Sequence, residues 1–295
     1  MFALDKIEEL QQAKEDIKTV LEEKGVTVAD GAKIDEYPEL IENIGKGFSL
    51  KDYFEGTATS ITLPKGLTKI GDYAFFQWTN LSDVNLPDTV TSIGSNAFGT
   101  CQHLAFISLP SGLTSIDNYA FNNCASLALT SLPSGLTSIG NSAFSNCASL
   151  ALTSLPSGLT SIGNSAFVGC SNLALTSLPS GITSISDSAF YSCSSLALTS
   201  FPSGLTSIGY QAFYNCKLAL TSLPNGVTSI GNYAFQNCIG LTTLTFEGTP
   251  KTIYSTAFYN CTNLKTINVP WASGAVANAP WGATNATINY NCMGG

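Results

Sequence analysis

One dipeptide constrains this chain more than any other feature. Phe75, Phe98, Phe121, Phe144, Phe167, Phe190, Phe213, Phe235 and Phe258 each follow an Ala. Successive copies are 23 residues apart, except for 22 between Phe213 and Phe235. Repetition at such a period marks a solenoid. One copy cannot bury its own apolar side, whereas stacked copies share a continuous core and touch only their neighbours.

Each copy parses physically. An apolar segment ends in Leu-Pro, as at Leu86-Pro87, Leu109-Pro110 and Leu132-Pro133. Proline cannot donate to a ladder, so the strand stops there. A Ser-Gly pair turns the chain, and a short piece such as Leu136 to Ile139 follows. Two residues after that Ile stands an Asn or Asp in most copies: Asp72, Asn118, Asn141, Asn164, Asp187 and Asn232. These side chains are expected to cap a helical turn carrying the Ala-Phe pair. At Leu129 to Thr130 and its equivalents the pattern changes. Leu129, Leu152, Leu175, Leu198 and Leu220 occupy a normally outward position, as does Phe106 in the preceding copy, while Thr130, Thr153, Thr176, Thr199 and Thr221 take the inward one. Either the strand shifts and the leucines point inward, or they form an exposed apolar stripe fit for a contact surface. Burial of each Leu stabilises by about 2 kcal/mol, which favours the inward arrangement.

Eight cysteines follow the same period: Cys101, Cys124, Cys147, Cys170, Cys193, Cys216, Cys238 and Cys261 each lie three residues after the repeat Phe. A column of one small residue type reads first as free, buried thiols in a stacked core, with disulfides between neighbouring rungs as the alternative. It lacks the paired spacing and histidines of a zinc site. Cys292 stands off the column and is the expected reactive thiol.

Charge is sparse and uneven. Residues 1–46 carry 12 acids and 6 Lys, net −6, and the remainder carries 8 acids and 6 Lys, net −2, which together make −8. There is no Arg, and between Asp117 and Lys217 the only charged side chain is Asp187. No basic face exists for a phosphate backbone. The acid-bearing N-terminus is unlike a Sec signal, and no apolar run is long enough to span a membrane. Residues 4–24 and a short piece after Asp35 show helical periodicity.

The coils Leu81-x-x-Val84-x-Leu86, Leu104-x-x-Ile107-x-Leu109, Leu241-x-x-Leu244-x-Phe246 and Leu264-x-x-Ile267-x-Val269 match the LxxLxL core of leucine-rich repeats. With the Pro, the Ser-Ile-Gly, the Ala-Phe and the Cys, residues 53–270 resemble the BspA-like leucine-rich repeats of bacterial and protozoan surface proteins. That resemblance implies an arc-shaped solenoid and a role in adhesion or protein binding. Residues 10–44 and the tail from Val269 to Asn291 resemble terminal segments of phage and prophage tail-associated proteins of gut bacteria.

The expected fold is therefore an α/β repeat solenoid. It comprises a leucine-rich-repeat arc of about nine coils at 48–270, a helical docking or oligomerisation module at 1–47, and a C-terminal cap at 271–295. Enzymatic chemistry lacks its parts. His103 is the only His, no carboxylate pair recurs, and no phosphate loop is present. No catalytic residue, metal or cofactor is expected. Tyr191, Tyr210, Tyr214, Tyr233 and Tyr259 cluster in the C-terminal coils and are candidates for a recognition patch, because Tyr offers contact area at low entropic cost. Together with Phe106 and the five leucines they form the candidate ligand-binding set. The expected function is non-enzymatic recognition by a phage or prophage tail-associated receptor-binding protein, assembled in the cytoplasm and carried on the virion. Its partner would be a protein or glycan on a host surface. The alternative is a bacterial BspA-like cell-surface adhesin.

Overall fold

The computed structural model describes residues 58–63, 65–105 and 109–292. All lie in the second of the two units into which the chain divides, Asp52–Gly295. The expected helical module at 1–47, its junction up to residue 57, and Phe106 fall outside the described residues.

Within them the protein is a β-solenoid of parallel strands and turns. No helix occurs among the described residues, so the α/β class gives way to a β class for the repeat region. Two strand columns run along the stack. One is built from two-residue strands that end in Ile, mostly Ser-Ile: Lys69–Ile70, Ser92–Ile93, Ser115–Ile116, Ser138–Ile139 and Ser161–Ile162 form one parallel sheet. Ser184–Ile185, Ser207–Ile208, Ser229–Ile230 and Thr252–Ile253 form another. Every Ile is buried and every preceding residue is more exposed, the alternation that a one-sided strand requires. The second column comprises Ser60–Thr62 and Asp83–Asn85, then Ser222–Leu223, Thr243–Phe246, Thr266–Asn268 and Thr287–Asn289.

The Ala-Phe segment is not the helical turn its spacing predicts. Around Phe121, Tyr119 and Asn123 have φ of 57° and 58°, and nearly every copy repeats these two left-handed residues. A helix cannot continue through them. The alternation instead aims backbone N–H groups at the next coil. Tyr119, Phe121 and Asn123 donate to the carbonyls of Asn141, Ala143 and Ser145, each at 2.8 Å. The Asn column is likewise redirected. Asn118 Oδ1 accepts the backbone N–H of Asn141 at 2.7 Å, so it caps the neighbouring coil rather than its own turn. Asp72 and Asn141 do the same.

The core is a set of columns. The repeat phenylalanines stack from Phe75 to Phe258, with ring centroids 5.1–5.6 Å apart and planes within 13° of parallel. Beside them runs the thiol column, with each Cys Sγ 2.9–3.1 Å from a Phe carbonyl of the preceding coil. The C-terminal segment adds a tenth rung, with Thr287–Asn289 pairing in parallel with Thr266–Asn268. Phe246, Trp271 and Trp281 pack together against that end, where Trp281 is fully buried and donates its Nε1–H to the Ala277 carbonyl at 2.7 Å.

Candidate functional site

The leucine stripe is not a surface. Leu129, Leu152, Leu175 and Leu198 are 0% exposed and Leu220 is 2% exposed, so these five are core residues and cannot meet a ligand. The reason is a displaced outward step. In an outer coil Leu81 and Val84 point inward with two exposed residues between them. In a central coil Leu127 and Leu129 are both buried with only Ala128 exposed between, and the two exposed residues are Thr130 and Ser131. The hydrogen bonds shift with the side chains. Ser82 N–H donates to the Thr59 carbonyl 23 residues back, whereas Ala151, Ala174 and Ala197 donate to Leu129, Leu152 and Leu175, 22 residues back. Among the described residues this face carries no regular strand between Asn85 and Ser222.

The five tyrosines are placed in separate groups. Tyr191 and Tyr214 each follow a repeat Phe and stack on one another, centroids 4.5 Å apart and planes 3° from parallel. Burial, followed by the adjacent Tyr214, holds the Tyr191 hydroxyl above the ordinary phenol value. Tyr259 occupies the same column but is separated from that pair by Gln236, and it is exposed. Tyr210 and Tyr233 precede their Phe and meet edge to face at 6.2 Å.

Tyr210 also walls a groove of about 500 Å³ that crosses the Ser-Ile face. It is lined by Ser184, Ser207 and Ser229, by Asp187 and Asn232, and by Tyr254. Tyr254 was missed by sequence reasoning, although a signal was present. It directly follows Ile253, where Gly94, Gly140, Gly163, Gly209 and Gly231 stand in other copies. A Cβ at Gly231 would come 2.8 Å from the Gly209 carbonyl carbon, so a side chain in this column requires the neighbouring coils to shift.

The groove begins where the Ser-Ile sheet divides. In most coils the residue after the Ile donates its N–H to the Ile of the preceding coil, as Gly163 does to Ile139 and Gly209 to Ile185. Ser186 breaks the series. Its hydroxyl, not its N–H, takes the Ile162 carbonyl at 2.7 Å. Asp117 and Tyr254 also carry side chains in this column yet keep the backbone bond, to Ile93 and Ile230. A carboxylate has no proton to offer and a phenol is too long to reach back, so only Ser competes for that carbonyl.

Other chemistry is not assembled among the described residues. Exposed His103 bonds through Nδ1 to the Thr79 carbonyl at 2.6 Å. No group of three or more His, Cys, Asp or Glu suited to a metal exists among the described residues. No helix among them is long and apolar enough to cross a membrane. Burial raises the column thiols, Cys101, Cys216 and Cys261 to about 12 and Cys124, Cys147, Cys193 and Cys238 well above the ordinary value, so thiolate chemistry is suppressed there.

Solenoid, LxxLxL coils and phenylalanine column together define a leucine-rich repeat protein. Residues 51–174 and 173–278 match the family described as BspA type leucine rich repeat region, and the chain belongs to that family. Among solved structures it is similar to a leucine-rich repeat protein from Bacteroides ovatus, 27% identical over 79% of this chain and 66% of that one, with a TM-score of 0.56. This chain thus spans about two thirds of that relative's length. It is also similar to the Treponema pallidum leucine-rich repeat protein, at 35% identity over 54% of this chain and 77% of the other, with a TM-score of 0.47. A third match is a leucine-rich cell surface protein of Faecalibacterium prausnitzii, at 26% identity over 74% and 89%, with a TM-score of 0.31. No curated protein sequence matches the chain. The family match leaves residues 1–50 and 279–295 uncovered, and nothing in these similarities supports the resemblance of the two ends to phage tail proteins.

Proposed function

We propose that this protein is a non-enzymatic recognition module that works in adhesion at a bacterial cell surface. Membership of the BspA-type repeat family carries the reading. The contact region is the tyrosine-bearing set of coils between Tyr191 and Tyr259. Exposed rings on a rigid stack supply contact area without an ordering cost, and the near absence of charge makes binding there insensitive to salt. This reading sets aside the virion location in favour of the surface adhesin. A phage-tail position is the second reading and rests only on the resemblance of the two terminal segments.

The test is antibody labelling of intact producer cells, with antibody raised against residues 58–292. Labelling of whole cells that protease shaving removes is the expected result. Signal confined to purified virions would transfer the protein to the second reading, and signal confined to the cytosol would sink both.

A further inference from the structure

We propose that the groove between Tyr210 and Tyr254 is a binding site for a neutral oligosaccharide of two or three rings. The inference deepens the recognition reading and rests on it.

The two tyrosines are 46% and 48% exposed and belong to coils two apart, which at a parallel-strand spacing of ~4.8 Å separates them by about 10 Å. The coil between contributes Gly231, with no side chain, and Asn232. Tyr233 packs edge-on against Tyr210, with ring centroids 6.2 Å apart. Two aromatic plates with an open space between them suit the apolar faces of successive sugar rings.

The polar groups match hydroxyl-rich ligands. Asp187 Oδ1 accepts the Tyr210 N–H at 2.7 Å, which fixes the carboxylate and leaves its second oxygen as an acceptor. Asn232 Oδ1 accepts the Thr256 hydroxyl at 2.9 Å, which leaves its amide N–H groups as donors. The hydroxyls of Ser184, Ser207 and Ser229 bond to no other group among the described residues and can both donate and accept. One carboxylate and no cation line the groove, so an anionic ligand is disfavoured. An extended peptide finds backbone partners only at the Ser184–Ile185 edge, where the sheet divides. The lining strands already pair with each other, Ser184 with Ser207 and Ser207 with Ser229. A volume of about 500 Å³ is also that of a small-molecule site rather than a protein interface.

The test is ligand-observed NMR on the full chain with maltotriose, cellotriose, lactose, mannobiose and N,N′-diacetylchitobiose, and with 3′-sialyllactose as the anionic control. At least one neutral sugar is expected to bind in the millimolar range or tighter, and sialyllactose more weakly than lactose. Tyr210→Ala and Tyr254→Ala should each weaken binding about tenfold, as loss of a central aromatic contact does. His103→Ala, at an exposed position outside the groove, should leave binding intact, and all variants should keep the parent melting temperature. If no neutral sugar binds, or if binding survives the Tyr210→Ala/Tyr254→Ala double variant, the inference is wrong. If the chain labels cell surfaces but these sugars neither bind nor compete, the saccharide site falls while the recognition reading stands. Sugar binding by a protein absent from cell surfaces would overturn the adhesion reading alone.

Discussion

The thiol of Cys124 lies 3.0 Å from the carbonyl oxygen of Phe98, 26 residues earlier, and donates its proton there. The same bond joins every Cys of the column to the coil before it, so the column is a run of inter-coil hydrogen bonds in a dry core. In the first coil Trp78 takes the Cys position, and the column starts one coil later.

Reactivity should therefore divide sharply. Of the nine cysteines, the native protein should expose only Cys292 to a charged thiol reagent, the others reacting after denaturation. Fast modification of two or more thiols in the folded state would refute the buried column.

The thiols also predict alkaline destabilisation. Burial keeps them protonated in the folded state, whereas unfolded thiols ionise near the ordinary value of 9.0. Above that pH the unfolded chain binds fewer protons, so stability falls as pH rises. The loss should begin near 9 and continue to about 12, where Cys101, Cys216 and Cys261 titrate in the folded protein. Melting temperatures from pH 8 to 11 should drop less steeply in Cys147→Ser than in the parent. Equal slopes would contradict the assignment.

Displacement of the outward step makes neighbouring residues energetically opposite. Leu152→Ala should cost about 2–5 kcal/mol, whereas Thr153→Ala should change stability by less than about 0.5 kcal/mol. Denaturant titration of the two variants decides the matter, and a reversal of their order would restore the exposed stripe.

Ser186 offers a local test of the sheet break. Ser186→Ala removes the hydroxyl that holds the Ile162 carbonyl, and Asp117 shows that a Cβ is tolerated in this column. The freed carbonyl should then take the residue 186 N–H. Hydrogen exchange at that amide should slow by about tenfold, the equivalent of about 1.4 kcal/mol. An unchanged rate would mean that the hydroxyl is not the cause.

How far the sequence carried varies by element. The 23-residue period led directly to stacked coils, because one Phe per copy can only be buried by its neighbours. The buried thiols were equally legible, since a Cys at constant offset from a buried Phe shares its environment. The turn was not. A three-residue offset between Phe121 and Cys124 fits one turn of helix, and nothing in residue type alone shows that Tyr119 and Asn123 are left-handed. The inward leucines were favoured over the stripe but not decided, because L-x-x-V-x-L and L-x-L-x-x-L place almost the same apolar residues in one segment. The groove was hardest, since it arises from departures in neighbouring copies: Ser186 and Tyr254 in the glycine column and Tyr210 in the asparagine column. Each reads as noise until the copies are stacked.

Recognition through the tyrosine-bearing coils can be measured directly on intact protein, with Cys292 as the labelling site. Full-length protein carrying a fluorophore there would be applied to mucin-coated and epithelial surfaces beside the Tyr210→Ala/Tyr254→Ala variant. Saturable binding of the parent is expected, little changed between about 50 mM and about 500 mM salt and weakened by about tenfold or more in the variant. Equal binding by both proteins, or binding abolished by salt, would contradict it.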